Sequence, residues 1–247
     1  MNTHLLIPSK RVYMLICVAV VGVSGFFTRP VFAESLTVNP AYREVEVKAP
    51  SKDQYIELSY TNSGKKPITL ELYPIDFHQK SPSGEISFAG INQDEYSYSL
   101  ASFLSFESNT LVVEPGQTAA YKVKILNRPD LSPGGHYAAI VAKLVQEPGE
   151  KRTAVAPAVS SLVYLRKVGG ERFHLTLSDI TWSMSPVHIK IPENITLQLQ
   201  NEGNVHVIPY GTVEITDLFG RVVYRGVINE SSLIVLPQSR RNMLVLS

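Results

Sequence analysis

An all-β chain of two tandem sandwiches is what the sequence predicts, on three observations. Apolar residues alternate with polar ones along most of the chain after Glu34, the period of a strand with one buried face. Clusters of Asn, Ser, Gly and Pro punctuate these runs at strand-to-strand spacing. One strand-and-turn unit also recurs. Ile56–Gly64 (I-E-L-S-Y-T-N-S-G) aligns with Ile195–Gly203 (I-T-L-Q-L-Q-N-E-G), matching Ile56 with Ile195, Leu58 with Leu197, Asn62 with Asn201 and Gly64 with Gly203. Asn and Gly tolerate the left-handed backbone of a tight connection, and the strand ahead of it must bury one face.

The first 33 residues stand apart from this pattern. Lys10 and Arg11 precede an uncharged run from Val12 to Phe27, and Val31-Phe32-Ala33 offers small residues where a signal peptidase reads. This predicts a secretory signal peptide cleaved after Ala33. The alternative, an uncleaved anchor helix, is disfavoured because the run is shorter than the roughly 20 residues that span a bilayer. Cys17, the only cysteine, lies in this segment. The mature chain is therefore expected to hold together by its hydrophobic core without disulfides, and thiol chemistry is excluded.

Strands are expected over Gln54–Thr61, Ile68–Phe77, Thr110–Val113, Ala120–Leu126, His136–Val145 and Ala154–Val168. Residues 78–109 break the alternation and read as a long loop with one helical turn near Leu100–Phe106, of the kind that is often functional or a decorated crossover. Gly169-Gly170 marks a boundary between modules 34–168 and 169–247. Strands of the second are expected at Phe173–Leu177, Ile180–Trp182, His188–Ile191, Ile195–Gln200, Thr212–Thr216, Val222–Val227, Leu233–Leu236 and Asn242–Leu246. A second alignment, Val113–Thr118 (V-E-P-G-Q-T) with Val235–Arg240 (V-L-P-Q-S-R), has a shorter spacing than the first, so the second module has the shorter middle. It also lacks counterparts of His136–Val145 and Ala154–Val168. The second sandwich is therefore expected to be incomplete, with open edges and a half-covered core, through truncation or through a strand that a partner supplies. Short strands with turns at this spacing suit immunoglobulin-like sandwiches.

The order of these segments carries a resemblance. Leu36-Thr37-Val38-Asn39-Pro40, the turn Asn62–Pro67, Leu111–Thr118 and Pro133-Gly134-Gly135-His136-Tyr137 resemble the peptidoglycan-binding domain of the WxL-interacting protein family. Asn201–His206 and Pro209-Tyr210-Gly211 resemble its following immunoglobulin-like domain. The same order resembles the wider group of bacterial exported proteins with chaperone-like immunoglobulin sandwiches. The family resemblance implies attachment at the cell surface, one domain on cell wall and the other on a protein partner. The membrane anchor that usually ends such proteins has no counterpart here, and the resemblance assigns no binding residues.

Formal net charge is +1, which provides no field to steer nucleic acid and sets that partner aside. The histidines lie far apart, with no ligand spacing, so surface or strand-edge positions are expected and no metal or cofactor is. Asp94-Glu95 is the tightest carboxylate pair and falls in the polar loop. No nucleophile elbow, zinc-protease motif, phosphate loop or calcium loop occurs after residue 33, so no enzyme is expected. Two aromatic features bear on binding. Tyr96 and Tyr98 of the loop are the candidate contacts, whereas Phe103 and Phe106 are expected to fill the end of the core. Trp182, the only tryptophan, is expected in the core as well. The function expected is a non-catalytic, exported cell-envelope protein that binds cell-wall polymer or another envelope protein. The alternative is a periplasmic pilus-type assembly chaperone, which needs two complete sandwiches and a basic cleft.

Overall fold

In the computed structural model of the chain the described residues are 36–48, 53–88, 97–146, 156–184 and 192–246. The expected signal peptide, Asp94-Glu95, Tyr96 and the strand expected at His188–Ile191 lie outside them.

The strands of the first half follow the alternation. They are β1 (Leu36–Asn39), β2 (Tyr42–Val47), β3 (Gln54–Asn62), β4 (Ile68–Gln79), β5 (Ile86–Phe88), β6 (Leu104–Phe106), β7 (Thr110–Val113), β8 (Thr118–Ile125), β9 (Gly134–Leu144) and β10 (Ala158–Lys167). One sheet runs β1-β3-β8-β6 and the other β2-β10-β9-β4-β5, with β7 also on β4. The chain changes sheet between β1 and β2, at the cis peptide bond Asn39–Pro40. Strand β2 then lies parallel to β10. Ile56, Leu58 and Tyr60 of β3 and Val123 and Ile125 of β8 form one core with Ile68, Leu70 and Leu72 of β4, Ile140 of β9 and Leu165 of β10.

The segment read as a long loop is more ordered than its composition suggests. Strand β4 runs on to Gln79, the Lys80 N–H donates to the Glu85 carbonyl (2.8 Å), and β5 returns along β4. The helical turn is a 3-10 turn at Ala101–Phe103, and β6 follows directly. The Asp76 carboxylate holds this turn, accepting the N–H groups of Leu100 (2.8 Å) and Ala101 (2.7 Å) and the Ser99 hydroxyl. A carboxylate at this place satisfies donors that a short turn leaves free. Phe103 is buried, and Phe106 packs on the same core, as expected.

Strand β9 departs from simple alternation, with the nine residues Gly134–Ala142 buried in succession. Ala138, Ile140 and Ala142 face the first core. Tyr137, Ala139 and Val141 lie on the other face, in a cluster with Phe77, Tyr164 and Leu236. Both faces of a strand are apolar where both are covered. Here Ile234 and Leu236, from the second half of the chain, cover the second face.

The second half contributes β11 (Leu175–Met184), β12 (Pro192–Asn201), β13 (Gly211–Thr216), β14 (Val222–Ile228) and β15 (Ser239–Leu246). They form one sheet in the order β11-β12-β15-β14-β13. Ile195, Leu197, Leu199, Tyr224, Val235, Met243 and Val245 make its small core. Two expected strands, Phe173–Leu177 and Ile180–Trp182, are a single strand carrying a bulge between Leu177 and Asp179. Leu233–Leu236 makes only an isolated bridge, Val207 with Val235. Trp182 is not a core residue: it is 61% exposed, on an edge strand that no layer faces among the described residues.

The repeated unit is repeated in its bonding. Asn62 is buried and donates to the carbonyls of Lys66 (2.8 Å) and Val113 (3.0 Å), while its side-chain oxygen accepts the Gly64 N–H (2.9 Å). Asn201 is buried and donates to Val205 (2.8 Å) and Val235 (3.0 Å), accepting the Gly203 N–H (2.9 Å). The Gly116 and Gln238 N–H groups donate to the Asn62 and Asn201 carbonyls, each at 2.8 Å, and both residues have positive φ. One amide thus satisfies two carbonyls and one N–H that would otherwise be buried unpaired.

Candidate binding site

The aromatic cluster on the outer face of β9 and β10 continues into the second half of the chain. The Tyr164 ring lies 5.5 Å from Phe77 and 5.9 Å from Tyr137, and His206 lies 5.7 Å from Tyr137 and 5.5 Å from Tyr164. These are edge and tilted contacts, the favourable geometries for such rings. Asn204 ties the same place through its backbone and side chain. Its carbonyl accepts the Gly135 N–H (2.8 Å), its side-chain oxygen accepts the Arg172 N–H (2.6 Å), and its side-chain nitrogen donates to the Gly170 carbonyl (2.9 Å). Gly135 is required here, since a Cβ would stand 2.1 Å from the Tyr137 hydroxyl. The two turn segments Pro133–His136 and Asn201–His206 therefore meet.

Beside this junction is a cavity of about 250 Å³ lined by Glu44, Val45, Glu46, Tyr164, Arg166 and His206. Its charges are mostly paired within the chain. Arg166 hydrogen-bonds Glu46, which lowers the Glu46 carboxyl below its usual range. His206 Nε2 lies 3.8 Å from the Glu44 carboxylate. Burial holds the His206 imidazole below its ordinary value even so, favouring the neutral ring. Burial also pushes the Tyr164 phenol up to about 12. Arg241 is half-buried nearby, with Nη1 donating to the Ile234 carbonyl (2.8 Å) and Nε without a hydrogen-bond partner among the described residues. Burial lowers its guanidinium, which stays a cation. The arrangement holds charges and rings in place and suits binding.

Two histidines differ from their expected surface positions. His136 is buried, its ring between the carbonyls of Ser99 (2.9 Å) and Ser132 (2.8 Å), and His206 sits in the junction. Of the two tyrosines singled out as contacts, Tyr96 lies outside the described residues. Tyr98 is half-buried against Tyr137, with ring centroids 6.3 Å apart, and its carbonyl accepts the Tyr137 N–H. Tyr164, Arg166 and His206 are not marked as site residues by any pattern in the sequence. Only strand pairing brings β2, β10 and the Asn201–His206 turn together, and no spacing in the chain announces it.

The second feature is an open edge. Strand β10 pairs with β9 along its whole length, from Ala158 opposite Lys143 to Lys167 opposite Gly134. Strand β2 joins its other side only from Leu162 onward. The Leu162 N–H points to that side, donating to the Ala41 carbonyl (2.9 Å). Alternate residues share this direction, so the N–H groups of Ala158 and Ser160 face the same way. Among the described residues no strand pairs with them.

No family model and no curated protein matches the chain. Solved structures do. One is a chain of a chaperone–tip adhesin complex of CFA/I fimbriae biogenesis, with 10% identity, 84% of each chain covered and a TM-score of 0.50. Another is the class 5 fimbriae chaperone CfaA, with 11% identity, 83% of this chain and 84% of that chain covered and a TM-score of 0.50. The chain has the all-β, immunoglobulin-like sandwich fold of these chaperones. This likeness is one of fold, and it does not single out the WxL-interacting family.

Proposed function

We propose that the chain is a non-catalytic, exported assembly chaperone of the fimbrial kind, acting in the periplasm on an envelope protein subunit. Fold likeness to fimbrial chaperones over most of both chains supports this reading. The observation that carries it is the open side of β10 at Ala158–Ser160, where a subunit's extended segment adds as a strand. Val159 packs partly on the first core, so an added strand there would meet apolar surface. Gly169-Gly170 divides the two modules in this reading, and Tyr98 lies at their junction as a supporting contact. Cell-wall polymer, the other expected partner, has no support in the structures the chain resembles.

The test is co-expression in a bacterial periplasm with a fimbrial subunit that aggregates alone. A soluble 1:1 complex on size exclusion is expected. Ser160→Pro removes an outward N–H while leaving the β9 ladder in place, and should abolish the complex. An unchanged complex with S160P rejects the β10 edge. Failure to solubilise any of several fimbrial subunits, together with enrichment on purified cell wall, rejects the chaperone reading.

A further inference from the structure

The apolar row of β11 is in phase with a buried face and is itself uncovered. Leu175, Leu177, Ile180 and Trp182 pair in register with Asn201, Leu199, Leu197 and Ile195 of β12, all buried. The next strand continues this face with Met243 opposite Leu197 and Val245 opposite Ile195. The bulge after Leu177 adds one residue and moves the row from odd to even positions. Without it, Ile180 and Trp182 would turn to the other face. The sequence thus keeps four apolar side chains on the inner face of the sheet. Yet on β11 they are 36%, 52%, 44% and 61% exposed. β11 also ends the strand order of its sheet, and among the described residues nothing pairs with its outer backbone edge.

We propose that β11 is a second strand-docking site, which takes an extended apolar segment of another polypeptide. It lies on a different sheet from the β10 edge and does not rest on the function proposed for that edge. An occupant must satisfy two demands together, a row of N–H and C=O groups and an apolar row at period two, and an extended strand with alternating apolar side chains meets both. A lipid or detergent offers no matching N–H and C=O ladder. β11 has a single charge, Asp179, and no Lys or Pro to guard the edge. A basic side chain on the incoming strand complements that carboxylate. Antiparallel pairing with a second copy about the middle of the row would instead set two Asp179 carboxylates side by side, which disfavours a homodimer.

Trp182 is the only tryptophan of the chain, so its emission reports on this face alone. The probe is a capped peptide of alternating valine and threonine with one central lysine, titrated into the full chain. A saturable shift of emission to shorter wavelength is expected. Leu177→Asp should weaken it about tenfold or more. Asp179→Lys should weaken the lysine peptide about fivefold and favour a glutamate version. Ser160→Pro should leave the shift unchanged, which separates this site from the β10 edge. Emission that is already blue-shifted without peptide, or does not move at any peptide concentration, overturns the proposal. So does a shift that follows protein concentration alone, which would mark a dimer, or one that ignores both L177D and D179K.

Discussion

The first and second halves of the chain share a turn and differ in what lies opposite it. Around Asn62 and around Asn201 the same amide bonds the same three backbone groups, with distances that agree to 0.1 Å or better. In the first half the strand leading into the turn faces a second sheet, and Leu58 is fully buried. In the second, β12 shares a small core with residues of β13, β14 and two irregular segments, and the apolar row of β11 beside it is exposed. A turn built by one buried side chain is specified locally. Closing a core depends on how many strands lie across from it, which local chemistry does not set.

The comparison is most directly broken by truncation of matched core residues. Leu58→Ala should cost about 4 kcal/mol and Leu197→Ala about 2 kcal/mol, because the thinner core relaxes around the smaller side chain. Hydrogen-exchange mass spectrometry resolves the two halves, and equal costs would mean that the second core is as tightly enclosed as the first. Asn62→Ala and Asn201→Ala each strand two buried carbonyls and one N–H. Each should cost about 3 kcal/mol, with protection lost at Gly64 and Gly116 in one case and at Gly203 and Gln238 in the other. Unequal losses would show that the two turns, alike in geometry, differ in energy.

The junction gives a smaller effect with a definite sign. The His206 imidazole is held below its ordinary value in the folded chain, so the unfolded chain binds more protons as pH falls through about 6.5. Its contribution is complete above that pH and is lost progressively below it. Thermal melts at stepped pH should show the junction weakening on acidification, with part of that slope removed by His206→Phe. A slope unchanged by H206F would assign the acid sensitivity to other groups. The smallest effect is expected at Trp182, where W182S should change stability by no more than about 0.5 kcal/mol. A larger loss in urea unfolding would mean that the β11 row is covered in solution.

Much of the fold could be read from the chain. Alternation located β3, β4, β7, β8 and β12 closely, and the aligned Asn-x-Gly units identified the residues that build both turns. Strand β9 was found as an element, but its two buried faces were not foreseen. Ala139 and Val141 look like any alternate positions until Leu236 is placed on them. Trp182 was misplaced for the opposite reason. Its strand has the composition of a core strand, but among the described residues no layer lies opposite to cover it. The candidate site was the least legible part. Glu44, Tyr164 and His206 are widely separated in sequence and meet through one parallel strand pair and the Asn201–His206 turn.

By itself the sequence determined the period-two strands, the two Asn-centred turns and the absence of a cysteine after residue 33. Each of these is a property of a few neighbouring residues, set by backbone preference and by which side chains must leave water. The tertiary structure alone decided which faces are covered once or twice, which edges of β10 and β11 stay open, and which charges share the junction. Those outcomes depend on what the chain brings back from far along its length, and a local pattern carries no record of it.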